Sequence, residues 1–151
     1  MGEAGHNPIE LVIVEVKGQR FAVRIHSVRE IRGWSASTRL PHAPAYVLGM
    51  MNLRGAVLPV VDFASRLGLG ESTVGAASVV IVAEVGDAVA GLLVDAVCDI
   101  LSEPADRIQA PPDVGSSMVA EFVEGVIMTD EGIVTLLSLD AVLPPAYALA
   151  S

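Results

Sequence analysis

Three histidines, one cysteine and a surplus of carboxylates are the groups from which this chain could build a catalytic or metal site, and their spacing builds neither. His6 lies in the leading segment, His26 follows an apolar run, and His42 sits between Leu40-Pro41 and Ala43-Pro44. None stands at metal-ligand spacing from another His or from Cys98. The chain has no Gly-x-x-x-x-Gly-Lys-Ser/Thr phosphate loop, no Gly-x-Ser-x-Gly elbow and no Cys-x-x-Cys pair. Glu84, Asp87, Asp95 and Asp99 are interleaved with strand-type residues, and Asp130-Glu131-Gly132 reads as a turn. That pattern predicts a solvated acidic face rather than an acid and base paired in a cleft. Strand alternation puts Cys98 on the same face as Val94 and Ile100, so it is expected to be a small buried apolar residue. No catalytic residue, cofactor or metal is expected, and the chain reads as a non-enzyme.

The polar chemistry that remains is recognition chemistry. Between two apolar β-type runs, Gly49 and Gly55 bracket a short excursion that carries Asn52 and Arg54. Flanking apolar residues cannot bury either side chain at such a turn. Arg54 either pairs internally, with Asp62 or a nearby Glu, or offers its planar fork to a carboxylate or carbonyl of a partner.

The elements that position this turn are β-strands. Of 151 residues, 52% are hydrophobic and only 4% aromatic, so the core is built from Val, Ile, Leu and Ala, with Val concentrated in strand-like runs. The length suits one compact unit. A net charge of -9 opposes the phosphate attraction that drives nucleic-acid binding, so no nucleic acid partner is expected. Mean hydropathy is +0.59, yet no apolar run approaches the ~20 residues of a spanning helix, so no membrane insertion is expected. MGEAGHNP has neither the basic region nor the apolar stretch of a signal peptide, and the lone cysteine fits a reducing compartment; the expected location is cytoplasmic.

The chain repeats itself. At an offset of 69 residues, Val12, Val14, Val16, Val23, Ile25, Val28, Glu30 and Ile31 fall against Ile81, Ala83, Val85, Leu92, Val94, Val97, Asp99 and Ile100. After a small insertion, Tyr46-Val47-Leu48-Gly49 falls against Phe122-Val123-Glu124-Gly125, and Gly55-Ala56-Val57 against Gly132-Ile133-Val134. Two copies of one all-β unit, each closing into a small barrel, are the expected architecture. The first barrel is expected over about 9–63, a connecting helix over about 62–69 with Asp62 as N-cap, and the second barrel over about 77–143. Lys17-Gly18-Gln19 and Gly86-Asp87 supply hairpin turns, and 102–117 reads as a loop with a short strand near Ile108. Residues 1–8 and 144–151 are expected to be tails.

The stretch LP-x-A-P-x-Y-V-x-G-x-x-N-L-R-G-x-x-L-P-V-V-D, residues 40–62, resembles the signature of the CheW family of chemotaxis coupling proteins. The resemblance continues in Val28-Arg29-Glu30-Ile31, in Gly91-Leu92-Leu93-Val94-Asp95-Ala96-Val97 and in Phe122-Val123-Glu124-Gly125. It implies two five-stranded SH3-like barrels that share strands at their junction. It also implies an adaptor between the cytoplasmic tip of methyl-accepting chemotaxis receptors and the regulatory domain of a CheA-type histidine kinase. The chain would then be a monomer outside the membrane-associated array that its partners build. The interface residues carried over are Arg54, Asn52, Val28, Glu30 and Ile31. Met50 and Met51, and Phe63-Ala64 after Asp62, depart from the family pattern.

Two other functions fit the residues: coupling in a non-flagellar system such as pilus or gliding control, and a small-molecule-binding or catalytic β-barrel. Val57-Leu58-Pro59-Val60-Val61 and Val89 to Val94 are apolar on both strand faces, which requires two buried surfaces. Packing of the barrels supplies one, and docking patches could supply part of the other.

Overall fold

The computed structural model describes residues 8–34, 44–110 and 121–143. Ten strands run in chain order: β1 (Pro8–Val16), β2 (Gln19–Arg24), β3 (Val28–Gly33), β4 (Val47–Leu53), β5 (Ala56–Asp62), β6 (Val79–Val85), β7 (Ala88–Val94), β8 (Ala96–Pro104), β9 (Val123–Thr129) and β10 (Gly132–Leu137). Two one-turn helices, α1 (Phe63–Arg66) and α2 (Leu139–Val142), follow β5 and β10.

These strands form two five-stranded sheets, ordered β8-β1-β2-β10-β9 and β3-β6-β7-β5-β4. The duplication explains the two orders. Exchanging each strand for its repeat (β1 with β6, β2 with β7, β3 with β8, β4 with β9, β5 with β10) converts one order into the other. Each sheet therefore draws strands from both halves: β1 pairs with β8 and β3 with β6, both antiparallel. A barrel confined to 9–63 and another confined to 77–143 is not the arrangement found. The third, fourth and fifth strands of each copy leave its first hairpin and join the first hairpin of the other copy, the third strand on one side of it and the fifth and fourth on the other.

Alternation along β1 shows what holds the sheets together. Val12, Val14 and Val16 enter a central core that also contains Val61, Ile81, Leu92 and Val94 from the other sheet and Phe63 from α1. Leu11 and Ile13 point the other way, into a smaller core with Ile127, Val134 and Leu136. The second sheet encloses its own small core of Leu53, Leu58 and Val82, flanked by Met51 and Val89. Strands apolar on both faces are thus buried on both faces. Most of the apolar surplus in β5 and β7 is explained this way, because their last five residues are all buried and the two strands pair in parallel.

The hairpin turns fall where expected, with Lys17-Gly18 joining β1 to β2 and Gly86-Asp87 joining β6 to β7. Asp62 caps α1 by accepting the Ser65 amide, and it also accepts the amide and hydroxyl of Ser72 at 2.9 and 2.6 Å. The helix is shorter than the expected 62–69. Strand β8 extends through Pro104, into the span expected to be loop, because Ser102, Glu103 and Pro104 lie against Glu10, Ile9 and Pro8 of β1. Pro8, expected in a tail, is therefore the first residue of β1. Past β8 the chain bridges to β9 at Gln109, which exchanges two 2.9 Å backbone hydrogen bonds with Val126. Gly125 makes this approach possible: a Cβ there would stand 2.5 Å from Ile108 Cγ2 and 2.9 Å from the Gln109 carbonyl oxygen. The remaining tail residues 1–7 and 144–151, the motif residues 40–43 with His42, and positions 111–117 of the expected loop lie outside the described residues.

Candidate functional site: a charged turn between two sheet edges

Arg54 and Gly55 are the central residues of the β4–β5 turn, and both have left-handed backbone, with φ of 51° and 88°. A two-residue turn of this hand matches the twist of the strands it joins. The Asn52 side chain supports the turn by accepting the Gly55 amide at 2.9 Å. Left-handed Arg54 is not by itself a sign of function, because Lys17 adopts the same conformation, with φ of 53°, in the β1–β2 turn.

What distinguishes Arg54 is its partner. Its guanidinium donates to Glu30, whose other carboxylate oxygen accepts from Arg32 at 3.0 Å. Glu30 lies on β3, and Arg54 follows β4. These are the two outer strands of one sheet. The sheet must curl for them to meet, and the ion pair ties its opposite edges together. The Arg54 side chain is nonetheless 70% exposed. Arg32, and after it Arg54, hold the Glu30 carboxyl below the usual carboxylate range, because both favour its charged form. Two guanidinium groups around one carboxylate leave a local positive charge on a chain of net charge -9.

A β-bulge sets the face that Glu30 occupies. Val28 pairs with Ala83 and Glu30 with Val82, so Arg29 is the extra residue. Residues paired across strands share a face. Val28 accordingly packs on the central core with Ala83, while Glu30 shares the face of Val82, which belongs to the sheet's own small core. Arg29 pairs with Glu84 at 3.5 Å. Simple alternation would have put Val28 and Glu30 on one face. Ile31 is 42% exposed, as the next residue along β3. The structure thus joins Glu30 to Arg54 and places Asn52 in the same turn, leaves Ile31 exposed on the opposite face of β3 from Glu30, and gives half-buried Val28 a packing role. Arg32 completes the cluster; its position two residues from Glu30 on a strand was the available signal.

The repeat carries the same bulge and none of the same chemistry. In β8, Val97 pairs with Val14 and Asp99 with Ile13, which leaves Cys98 as the extra residue, 69 positions after Arg29. Cys98 is exposed rather than buried, because the bulge breaks the alternation on which its burial was predicted. Ile100 is exposed as well. Pairing of Leu53 with Ala56 and of Thr129 with Gly132 sets an offset of 76 for these hairpins. The position equivalent to Arg54 is therefore Asp130, and Gly55 corresponds to Glu131 rather than to Gly132. The positions equivalent to Glu30 and Asn52 are Asp99 and Met128. Among the described residues, the Arg32–Glu30–Arg54 cluster has no counterpart in the other sheet.

The groove between the halves is mixed in character. A cavity of about 450 Å³ opens beside α2, where Arg24, His26, Glu124 and Asp140 surround Val85 and Leu137. Among the described residues no group of three or more His, Cys, Asp or Glu could hold a metal, and no helix is long and apolar enough to cross a membrane.

Comparison with known proteins gives this arrangement its place. The family described as "CheW-like domain" matches residues 10–146. The chain belongs to the CheW family. Chemotaxis protein CheW of Rhizobium meliloti (strain 1021) is 50% identical over 135 residues, covering 89% of this chain and 87% of the relative. A probable chemotaxis protein CheW of Rhizobium etli is 47% identical over 132 residues, covering 87% and 85%. The crystal structure of the scaffolding protein TtCheW from Thermoanaerobacter tengcongensis superposes with a TM-score of 0.80 at 30% identity, covering 87% of this chain and 85% of that one. Membership of the CheW family makes this chain a chemotaxis scaffold without enzymatic activity, and overturns the reading of it as a catalytic barrel.

Proposed function

We propose that this CheW-family chain couples the cytoplasmic tips of methyl-accepting chemotaxis receptors to the regulatory domain of a CheA-type kinase, with Arg54, Asn52, Glu30 and Ile31 at the interface and Val28 supporting them from beneath. The observation that carries the reading is the exposed guanidinium of Arg54, held by Glu30 at the edge of the sheet, with Ile31 exposed on the other face of the same edge strand. A turn fixed by Asn52 presents that guanidinium with little conformational freedom left to lose, which favours recognition of a carboxylate or carbonyl on a partner. Partner groups would compete with Glu30 for Arg54, so binding exchanges an internal ion pair for an external one. The protein works as a monomer until its partners gather it at the membrane-associated array from the cytoplasm. Two such interfaces in one complex reinforce each other through effective concentration, so neither has to be tight.

Titration calorimetry with the regulatory domain of a CheA-type kinase from the same organism, and separately with a receptor tip fragment, tests the proposal. Saturable binding to both, lost with Arg54→Asn, is the expected result. Binding to neither overturns the coupling role, and unchanged binding by the variant removes Arg54 from the interface.

A further inference from the structure

Arg66, the last residue of α1, lies between two aromatic rings from different halves of the chain. Its guanidinium carbon stands 4.4 Å from the Tyr46 ring centre and 4.8 Å from that of Phe122. The same group donates from Nε to the Val142 carbonyl and from Nη2 to the Ala141 carbonyl, both at 2.9 Å, at the end of α2. One side chain therefore holds both helices and both aromatics.

The aromatics are equivalents, 76 residues apart, and each stands just before the first strand of its hairpin. Each also closes its own corner: the Tyr46 carbonyl accepts the Asp62 amide and the Phe122 carbonyl accepts the Ser138 amide, both at 2.8 Å. Asp62 and Ser138 are the residues before α1 and α2. The position equivalent to Arg66 is Val142, which has no polar side chain, so the joint can be made from one side only.

We infer that Arg66 is a conformational joint that links the Tyr46 corner, where the hairpin bearing Arg54 begins, to the Phe122 corner of the second half. A guanidinium suits the position because its flat faces stack on both rings while its edge donates to two carbonyls. Lysine has one point charge and no planar face, so it cannot make all four contacts. A displacement of the Arg54 hairpin that moves Tyr46 then moves Arg66, and through it α2 and Phe122.

Amide hydrogen exchange on the whole chain tests it, with Arg66→Lys compared to the unaltered protein. The expected result is faster exchange, by roughly tenfold or more, at both Asp62 and Ser138, with the sheet-centre amides of Val12 and Ile81 unchanged. Faster exchange only at Leu143 and Val142 would make Arg66 a simple cap of α2 and overturn the inference. Should Arg66→Lys fail to fold, Tyr46→Leu gives the decision: a joint requires faster exchange at Ser138, in the opposite half, and a purely local effect at Asp62 overturns it.

Discussion

Glu30 and Arg54, on opposite edge strands of one sheet, are joined by an ion pair whose acidic member is also held by Arg32. The pair separates two properties that arginine could otherwise confound, namely closing the sheet and meeting a partner.

Arg54→Asn separates them. Asparagine tolerates left-handed backbone better than arginine, so the turn is kept while the guanidinium is lost. The melting temperature is expected to stay within about 3 °C of the parent, since exposed ion pairs contribute little. Binding to kinase or receptor is expected to fall at least about tenfold, as for loss of an interface arginine. Arg54→Glu, which places like charges together, should weaken binding further while the far-UV circular dichroism remains that of the folded chain.

The charge state of Glu30 makes a second prediction. Its carboxyl is held below the usual carboxylate range, first by Arg32 and then by Arg54. A depressed folded-state pKa contributes stability that is present above the unfolded pKa and is lost as pH falls through the folded one. A carboxyl-detected NMR titration should find Glu30 titrating below an ordinary glutamate. Arg32→Ala and Arg54→Ala should each raise it, Arg32→Ala by more. An ordinary titration in the parent would mean that the cluster does not persist in solution.

Cys98 is predicted to react. As the extra residue of the β8 bulge it is exposed, so a thiol reagent should label it stoichiometrically in the native protein. Labelling only after denaturation would restore the buried position that alternation suggested.

Gly125→Ala should open the approach of the 108–109 segment to β9. The added methyl would stand 2.5 Å from Ile108 Cγ2, and Gln109 would lose its place against Val126. Overpacking of this kind costs about 1–3 kcal/mol, read as a lower denaturation midpoint, with faster exchange at the Gln109 and Val126 amides.

Asp62→Ala removes acceptors from Ser65 and Ser72 together at a position 2% exposed. A loss of about 1–3 kcal/mol in urea denaturation is expected. Asp62→Asn should recover part of it, since one side-chain oxygen remains.

Much of the fold was legible because valine and isoleucine recur at strand spacing, and because the repeat made two weak patterns into one stronger pattern. Lys17-Gly18 and Gly86-Asp87 marked their turns through backbone requirements that few residues meet. Asp62 announced its helix as a cap. Partner choice among strands was not legible: nothing in β3 itself says that it belongs beside β6 of the second copy, since both its possible neighbours are valine-rich. The bulges at Arg29 and Cys98 were equally silent, because an extra residue changes the facing of every later side chain without leaving a mark in composition. The same limit applied at the site, where Asn52 and Arg54 were visible in a glycine-bounded turn, but the meeting of Arg54 with Glu30 depended on how far the sheet curls. Arg66 gave no signal, as its four contacts come from segments up to 76 residues away.

The exchange of strands between the halves has a consequence for biosynthesis. Leu11 finds its neighbour in Leu101, and Ile31 in Ile81. A ribosome that has released only the first half has released β1 without the second-half residues that cover its Leu11 and Ile13 face, with its other face only partly covered and with one edge lacking a mate. That half is a template awaiting its complement, and the nascent chain depends on rapid completion or on protection by a chaperone until β8 emerges. Severed in the linker between α1 and β6, the two pieces should each be insoluble when made alone and should recover the native sheets when made together.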